Sequence, residues 1–280
     1  MYVIFDIGGT KTRVAVSEDL KSYGTPIKFE TPMQYEAGVE AICSAALELT
    51  GGKPITAIAG GIRGPLKKDK TGISNEVVLT DWINKPLTID IENKLSAPVF
   101  LENDSAIVGL GEAVYGAGKE GAIVAYFTVS TGVGGARYVN GVLDVTSIGF
   151  EPGHQILDID GSIFGSDTLH TLENLISGSA LERRRGCKPY EIAQDDPVWD
   201  ELAGYLAVGL RNAILFWSPD VIVLGGSMVV GDPRIMLEVI REKTVEALRG
   251  FVPCPIIVDA ALRDEGGLYG AMALIKSKQK

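Results

Sequence analysis

"YVIFDIGGTKTRVAVS", residues 2–17, is the stretch on which the fold turns. Its first run, Tyr2 to Phe5, is β-branched and aromatic. It breaks at "DIGGTKT", and "RVAVS" (13–17) resumes the same character, so the segment reads as a β-hairpin around a Gly-rich turn. About 120 residues further on, "AIVAYFTVSTGVGGARYVNGVLD" (122–144) repeats the device: apolar strand, Thr/Gly turn, returning strand. Between the two, the pattern predicts a helix over 35–51, a strand "ITAIAGGIRGP" (55–65) breaking into glycines, a strand over 97–104 and a helix over 105–118. Beyond the second hairpin it predicts a helix over 197–217, the strand "DVIVLGGSM" (220–228), a helix opened by Asp232-Pro233, the strand "IIVDA" and a helix from about Gly266. Strands alternating with helices imply an α/β fold, here two related lobes with a cleft between them. The N-terminal lobe is expected over 1–118 and the C-terminal lobe over 119–280, with the last helix a candidate to pack back on the first lobe.

The chain's 280 residues are ample for two domains, and its formal charge of -10 argues against nucleic acid as a partner. Cys43, Cys187 and Cys254 are far apart and form no CxxC pair, which suits a reducing compartment and not a disulfide framework. "MYVIFDIGG" has neither a basic n-region nor a cleavage pattern, so no signal peptide is expected. "LAGYLAVGLRNAILFW" is too short to span a bilayer and carries Arg211. A soluble, cytoplasmic protein is the expectation.

Three Gly-rich turns each follow a strand. In the first, Gly8 and Gly9 offer backbone N–H groups suited to phosphate oxygens, Thr10 and Thr12 add hydroxyls, and Lys11 adds positive charge. Asp6, where the first strand ends, is placed to hold a hydrated Mg²⁺, which takes a carboxylate or two together with water and phosphate oxygens. The spacing is neither that of a Walker A loop nor a dinucleotide fingerprint. "STGVGG" (130–135) presents Thr131, Gly132 and Gly134, and "LGGSM" (224–228) presents Gly225 and Gly226. Any one of these is as readily a plain turn; three at strand ends point to a nucleotide.

In "PVFLENDSAI" (98–107) an apolar strand delivers Glu102, Asn103 and Asp104 to the start of a helix. Asp is a good helix cap, but a cap accounts for one polar residue and not three.

Taken in order, "FDIGGTKTRVAV", "GIRGPL", "LENDSAIVGLGEA", "STGVGGARYVNG", "EPGH" and "DVIVLGGSM" resemble the signature set of the ROK family (repressor, open reading frame, kinase), over nearly the whole chain. The resemblance implies an actin/hexokinase-like ATPase fold and ATP- and Mg²⁺-dependent phosphorylation of a hexose or N-acetylhexosamine. Glucose is the first choice, with N-acetylglucosamine, N-acetylmannosamine, fructose and mannose behind it. It implies Asp104 as general base at the sugar hydroxyl and Asn103 on a neighbouring hydroxyl. Little activation is needed, because phosphoryl transfer is loose, and a helix N-terminus would favour the ionised carboxylate. It further implies sugar contacts from Glu151 and His154 of "EPGH" and from Glu173 of "TLENLISG". Asn75 resembles the family's sugar-contacting Asn ahead of a Trp, here Trp82, with a turn residue as the alternative. Gly61 and Gly64 are expected to let the backbone approach the ligand. Family members are often dimers, which leaves a homodimer open.

The chain departs from the family at its structural zinc. Aligned on Glu173, the positions of the usual cysteines are Phe164, Ser166 and Thr171, so zinc is not expected. His154 with His170, Asp158 or Asp167 is an oxygen-rich substitute of lower standing. Without metal the loop is expected to be ordered by packing of Ile156, Ile163, Phe164 and Leu169, with both ring nitrogens of His154 free for hydrogen bonds. Three rivals are weighed. A sugar-responsive repressor needs a helix-turn-helix, and the first strand starts at residue 2. An iron–sulfur activator ATPase needs clustered cysteines. A non-catalytic sugar or nucleotide sensor sits poorly with the retention of Asp6, Asp104 and all three turns.

Overall fold

A computed structural model describes residues 1–147, 149–164 and 170–279. The chain divides into two units, Met1–Gly116 with Asp264–Lys280, and Ala117–Arg263.

In the first unit the opening hairpin is β1 (Tyr2–Ile7) and β2 (Lys11–Ser17), paired antiparallel with Phe5 opposite Val14 and Ile7 opposite Thr12. β3 (Ile27–Glu30) extends the hairpin. α1 (Tyr35–Thr50) follows and stops at Gly51, whose left-handed backbone (φ 58°) returns its N–H to the Leu47 and Glu48 carbonyls. β4 (Ala57–Ile62), α2 (Leu87–Leu95), β5 (Val99–Asn103) and α3 (Asp104–Val114) complete the run. The sheet order is β3-β2-β1-β4-β5, with β1, β4 and β5 parallel. Alternation along β1 sends Val3, Phe5 and Ile7 into one apolar core with Tyr35, Val39, Ile42, Trp82 and Ile91. The C-terminal helix (Gly266–Lys278) belongs to this unit and packs on α3, β4 and β1. It meets α3 at backbone distance: a Cβ at Gly270 would stand 1.8 Å from the Ile107 carbonyl oxygen.

The second unit repeats the plan. β6 (Ile123–Val129), β7 (Val133–Val139) and β8 (Val142–Leu143) form the meander. A two-stranded excursion follows, β9 (Ile156–Asp158) with β10 (His170–Thr171), then α4 (Leu172–Ile176), α5 (Gly178–Arg185) and α6 (Val198–Trp217). β11 (Val221–Gly225), α7 (Ser227–Val230), α8 (Leu237–Leu248) and β12 (Ile256–Asp259) close it. The order β8-β7-β6-β11-β12 matches the first sheet strand for strand. The repeat expected from the two hairpins is therefore a repeat of the whole sheet. In each unit the three parallel strands end on one edge, the edge where α/β sheets carry their ligands.

One element begins later than expected. Asp232-Pro233, joined by a cis peptide, does not open α8, which starts at Leu237. The Arg234 N–H donates to Gln194 (2.8 Å) and the Ile235 N–H to the Met228 carbonyl (2.8 Å). Donors committed to distant acceptors hold this segment outside the helix. Among the described residues no helix is long and apolar enough to cross a membrane.

Candidate active site

At the carboxyl edge of the first sheet, Asp6 lies near the end of β1 and Asp104 begins α3 directly after β5. Parallel pairing puts Asp6 beside Gly61, and Ile62 beside Asn103. Gly61 is small for a packing reason: a Cβ there would meet Ile107 Cγ2 at 2.5 Å and Asp104 Cα at 3.7 Å. Gly61 thus lets the start of α3 close onto β4.

The cap of α3 is Asn103, not Asp104. Asn103 Oδ1 accepts from the Ser105 and Ala106 N–H groups (3.0 and 3.3 Å), and its Nδ2 donates to the Gly64 carbonyl (3.0 Å). That anchors Gly64, whose φ of 99° suits glycine and whose missing Cβ would stand 2.9 Å from the Asn75 carbonyl oxygen. Gly64, Asn75, Asn103 and Asp104 are accordingly brought together, with the Asn75 side chain exposed. Relieved of capping, Asp104 accepts the neighbouring Ser105 N–H at 2.8 Å and is also hydrogen-bonded by the Asn103 side chain. Burial lifts its carboxyl above the usual range, against the pull of those hydrogen bonds and of Arg63. The helix-terminus argument for an unusually acidic Asp104 is therefore outweighed by desolvation.

Asp6 is pushed up to about 6, chiefly by burial; Arg13 opposes the rise, and Asp104 and Asp264 add to it. Arg13 reaches Asp6 at 3.4 Å and bonds the Asp264 carbonyl at 2.5 Å, tying the hairpin to the residues before the C-terminal helix. A Cβ at Gly267, in that helix's first turn, would stand 2.9 Å from Asp6 Oδ2. A carboxylate at a strand's end suits Mg²⁺, which keeps most of its water. In the turn itself the Gly8 N–H is spent on the Lys11 carbonyl at 3.0 Å, while Thr10 and Lys11 are exposed. Thr12 corrects the expectation. Strand alternation buries it, and its hydroxyl pairs with Thr31 at 2.9 Å, so this side chain is turned away from any phosphate on the turn.

In the second unit the other two turns meet. Ser130 Oγ lies 3.1 Å from Ser227 Oγ, and a Cβ at Gly226 (φ 88°) would strike the Val129 carbonyl oxygen at 2.3 Å. Gly225 is required by packing, because the Tyr126 hydroxyl occupies the place of its Cβ at 2.4 Å. Beside these turns, "EPGH" folds into a short 3-10 turn against β7: a Cβ at Gly153 would sit 2.2 Å from the Val133 carbonyl oxygen. Glu173 Oε2 accepts the Val133 N–H at 2.8 Å and stands 2.7 Å from the Cβ position of Gly132. It therefore joins "TLENLISG" to the second Gly-rich turn. The Glu151 carboxyl is raised chiefly by lost hydration, with His154 opposing and Glu173 adding, which places the three groups in one neighbourhood. Thr131 is exposed beside them.

The loop after "EPGH" does not order itself as expected. Ile156, Ile163 and Phe164 are 50%, 36% and 37% exposed. The Phe164 ring instead takes the edges of His170 and Tyr205, with the Arg184 guanidinium over its face. Ser166, Asp167 and Leu169 lie outside the described residues. Among the described residues no three His, Cys, Asp or Glu side chains are placed to share a metal ion.

Arg63 and Glu76 escaped the sequence reading. Arg63 stands inside the quoted "GIRGP", where a lone cation between glycines at a strand's end was the available signal. Glu76 carried none.

The model of the ROK family matches residues 2–278. The crystal structure of ROK hexokinase from Thermus thermophilus is 30% identical with a TM-score of 0.88, covering 100% of this chain and 99% of that one. A ROK family glucokinase from Streptomyces griseus, solved with glucose and AMPPNP, is 26% identical with a TM-score of 0.73, covering 98% of each chain. A fructokinase from Lactococcus lactis subsp. cremoris is 28% identical over 94% of this chain and 90% of its own length.

Proposed function

This chain belongs to the ROK family, and on that premise we propose that it is an ATP-dependent sugar kinase that transfers the terminal phosphoryl group of ATP to a hexose hydroxyl, glucose first. The observation that carries the reading is the pair of half-screened carboxylates, Asp6 and Asp104, on the carboxyl edge of one sheet beside a Gly-rich turn.

Asp104 takes the hydroxyl proton. With its pKa raised by burial it is a stronger base than a free Asp. The hydroxyl oxygen bonds to the terminal phosphorus, the bond to the bridging oxygen breaks, and ADP departs with that electron pair. Gly9, Thr10 and Lys11 receive phosphate oxygens in the first unit, while the Gly8 N–H stays committed to the Lys11 carbonyl and shapes the turn; Thr131, Gly132, Gly134 and Gly226 are the second unit's phosphate contacts. Asp6 would hold Mg²⁺ through water, and such an ion neutralises phosphate charge when bound. Asn103, whose amide is anchored to the Gly64 carbonyl and to the α3 N-terminus, is placed next to Asp104 as the partner of a neighbouring sugar hydroxyl. Gly64 and Asn75 are the first unit's further hexose contacts, and Glu151, His154 and Glu173 are the second unit's. The scattered free cysteines fit a reducing, cytoplasmic setting.

A coupled assay of ADP release with Mg²⁺ over glucose, mannose, fructose, N-acetylglucosamine and N-acetylmannosamine tests the reading. Turnover is expected with at least one hexose and fastest with glucose. Silence across all five defeats the kinase reading, and a clear preference for an N-acetyl sugar defeats the glucose assignment alone.

A further inference from the structure

Arg63 follows β4 directly and is stitched to β1, its N–H donating to the Ile7 carbonyl at 3.1 Å. Its side chain then lies over the first Gly-rich turn: Cδ and Nη1 are 3.4 and 3.7 Å from the Cβ position of Gly9. Nε donates to Glu76 Oε1 at 3.1 Å. That same oxygen accepts the Val77 and Val78 N–H groups at 2.8 and 3.0 Å, so the clamp is itself held by backbone. Although burial works against it, these donors and Arg63 keep the Glu76 carboxyl below its ordinary value. The Glu76 side chain is 5% exposed and that of Arg63 38%: the anchor is inside and the cation at the surface. With Nε engaged, the guanidinium still has the N–H groups of both terminal nitrogens to offer. Its charge is also felt at Asp104. One cation thus lies over the turn proposed for phosphate and within electrostatic reach of the carboxylate proposed as base.

We propose that Arg63 is a catalytic residue whose guanidinium binds the transferring phosphoryl group, with Glu76 as its positioning residue; this rests on the kinase reading above. In the loose transition state negative charge spreads over three equatorial oxygens. A planar fork fixed at Nε can give two N–H bonds to those oxygens, which a lysine ammonium cannot match in geometry. The bland alternative is that Arg63 only pins the segment 64–78 through Glu76.

Arg63→Ala, Arg63→Lys and Glu76→Gln separate the two. If Arg63 meets the transferring group, both Arg63 variants lose kcat, by about 10²–10³-fold for Arg63→Ala, as when one preorganised donor to a developing charge is removed. KM for the hexose and Kd for ADP, which lacks the transferred group, then stay within about threefold of wild type, by the rule that such losses fall on kcat. Added guanidinium restores part of the Arg63→Ala turnover, and Glu76→Gln gives a smaller kcat loss without rescue. The proposal is overturned if Arg63→Lys and Arg63→Ala keep kcat near wild type. It is equally overturned if kcat falls only together with ADP affinity and guanidinium restores nothing. A wild-type protein that phosphorylates no hexose rejects the kinase reading itself, and this inference with it.

Discussion

Asp104 and Asp6 differ in what their raised pKa values do. For Asp104, replacement by Asn keeps shape and removes the base. Asp104→Asn should lower kcat by about 10²–10⁴-fold, the usual worth of a positioned proton acceptor, while AMPPNP affinity measured by calorimetry stays near wild type. Retained turnover would remove Asp104 from the chemistry. For Asp6, the folded pKa of about 6 lies above the ordinary 3.8. Between those values the native state binds more protons than the unfolded chain, so this group's contribution is fully present below about 4 and lost as pH rises through about 6. At neutral pH it amounts to a penalty on the order of 2–3 kcal/mol at most, at 1.36 kcal/mol per pKa unit. Urea titrations at a series of pH values should show wild-type stability falling relative to Asp6→Asn across that window, without Mg²⁺ present. A constant difference would mean that Asp6 titrates normally.

The contact of the C-terminal helix with α3 depends on absent side chains. Gly111 has the Gly266 carbonyl oxygen 2.5 Å from its Cβ position, and Gly270 has that of Ile107 at 1.8 Å. Both obstructions are backbone and cannot rotate away. Gly270→Ala gains about 1 kcal/mol of helix propensity but forces the helices apart, and overpacking of this kind costs about 1–3 kcal/mol or more. A net loss of up to about 2 kcal/mol is expected. Because the same helix starts against Asp6, turnover should fall as well. Gly204 on α6 supplies the contrast: its nearest obstruction is the flexible Lys243 side chain at 3.9 Å. Gly204→Ala should therefore stabilise by up to about 1 kcal/mol. Equal effects from the two substitutions in urea melts would refute the packing account.

At the level of the whole molecule, ligands that bind only the native state must stabilise it. Glucose at about 100 times its Kd should add about 2.7 kcal/mol to the unfolding free energy, read as a shift in the urea midpoint, and an acyclic hexitol should add little. Chelation of Mg²⁺ should stop turnover while leaving the melting profile of the nucleotide-free protein unchanged, since no side-chain cluster among the described residues makes the fold depend on a metal. Loss of structure on chelation would point to a structural ion.

How far the chain could be read without coordinates follows from the range of the forces involved. Hairpins, strands that break into glycines and capped helices are local preferences, so the α/β plan and its duplication were legible from two stretches 120 residues apart. Asp6 and Asp104 stood out as carboxylates where apolar runs end, whereas Glu151, His154 and Glu173 were expected only from the resemblance of their motifs. What a side chain faces depends on strand register and on neighbours far along the chain. Only the tertiary structure decided that Thr12 turns to Thr31, that Asn103 and not Asp104 caps α3, that Gly61 and Gly225 are small for Ile107 and Tyr126, and that Glu76 clamps Arg63 over Gly9. Burial followed the same rule: capping chemistry can be seen in a sequence, but the desolvation that outweighs it at Asp104 is a property of the packed edge.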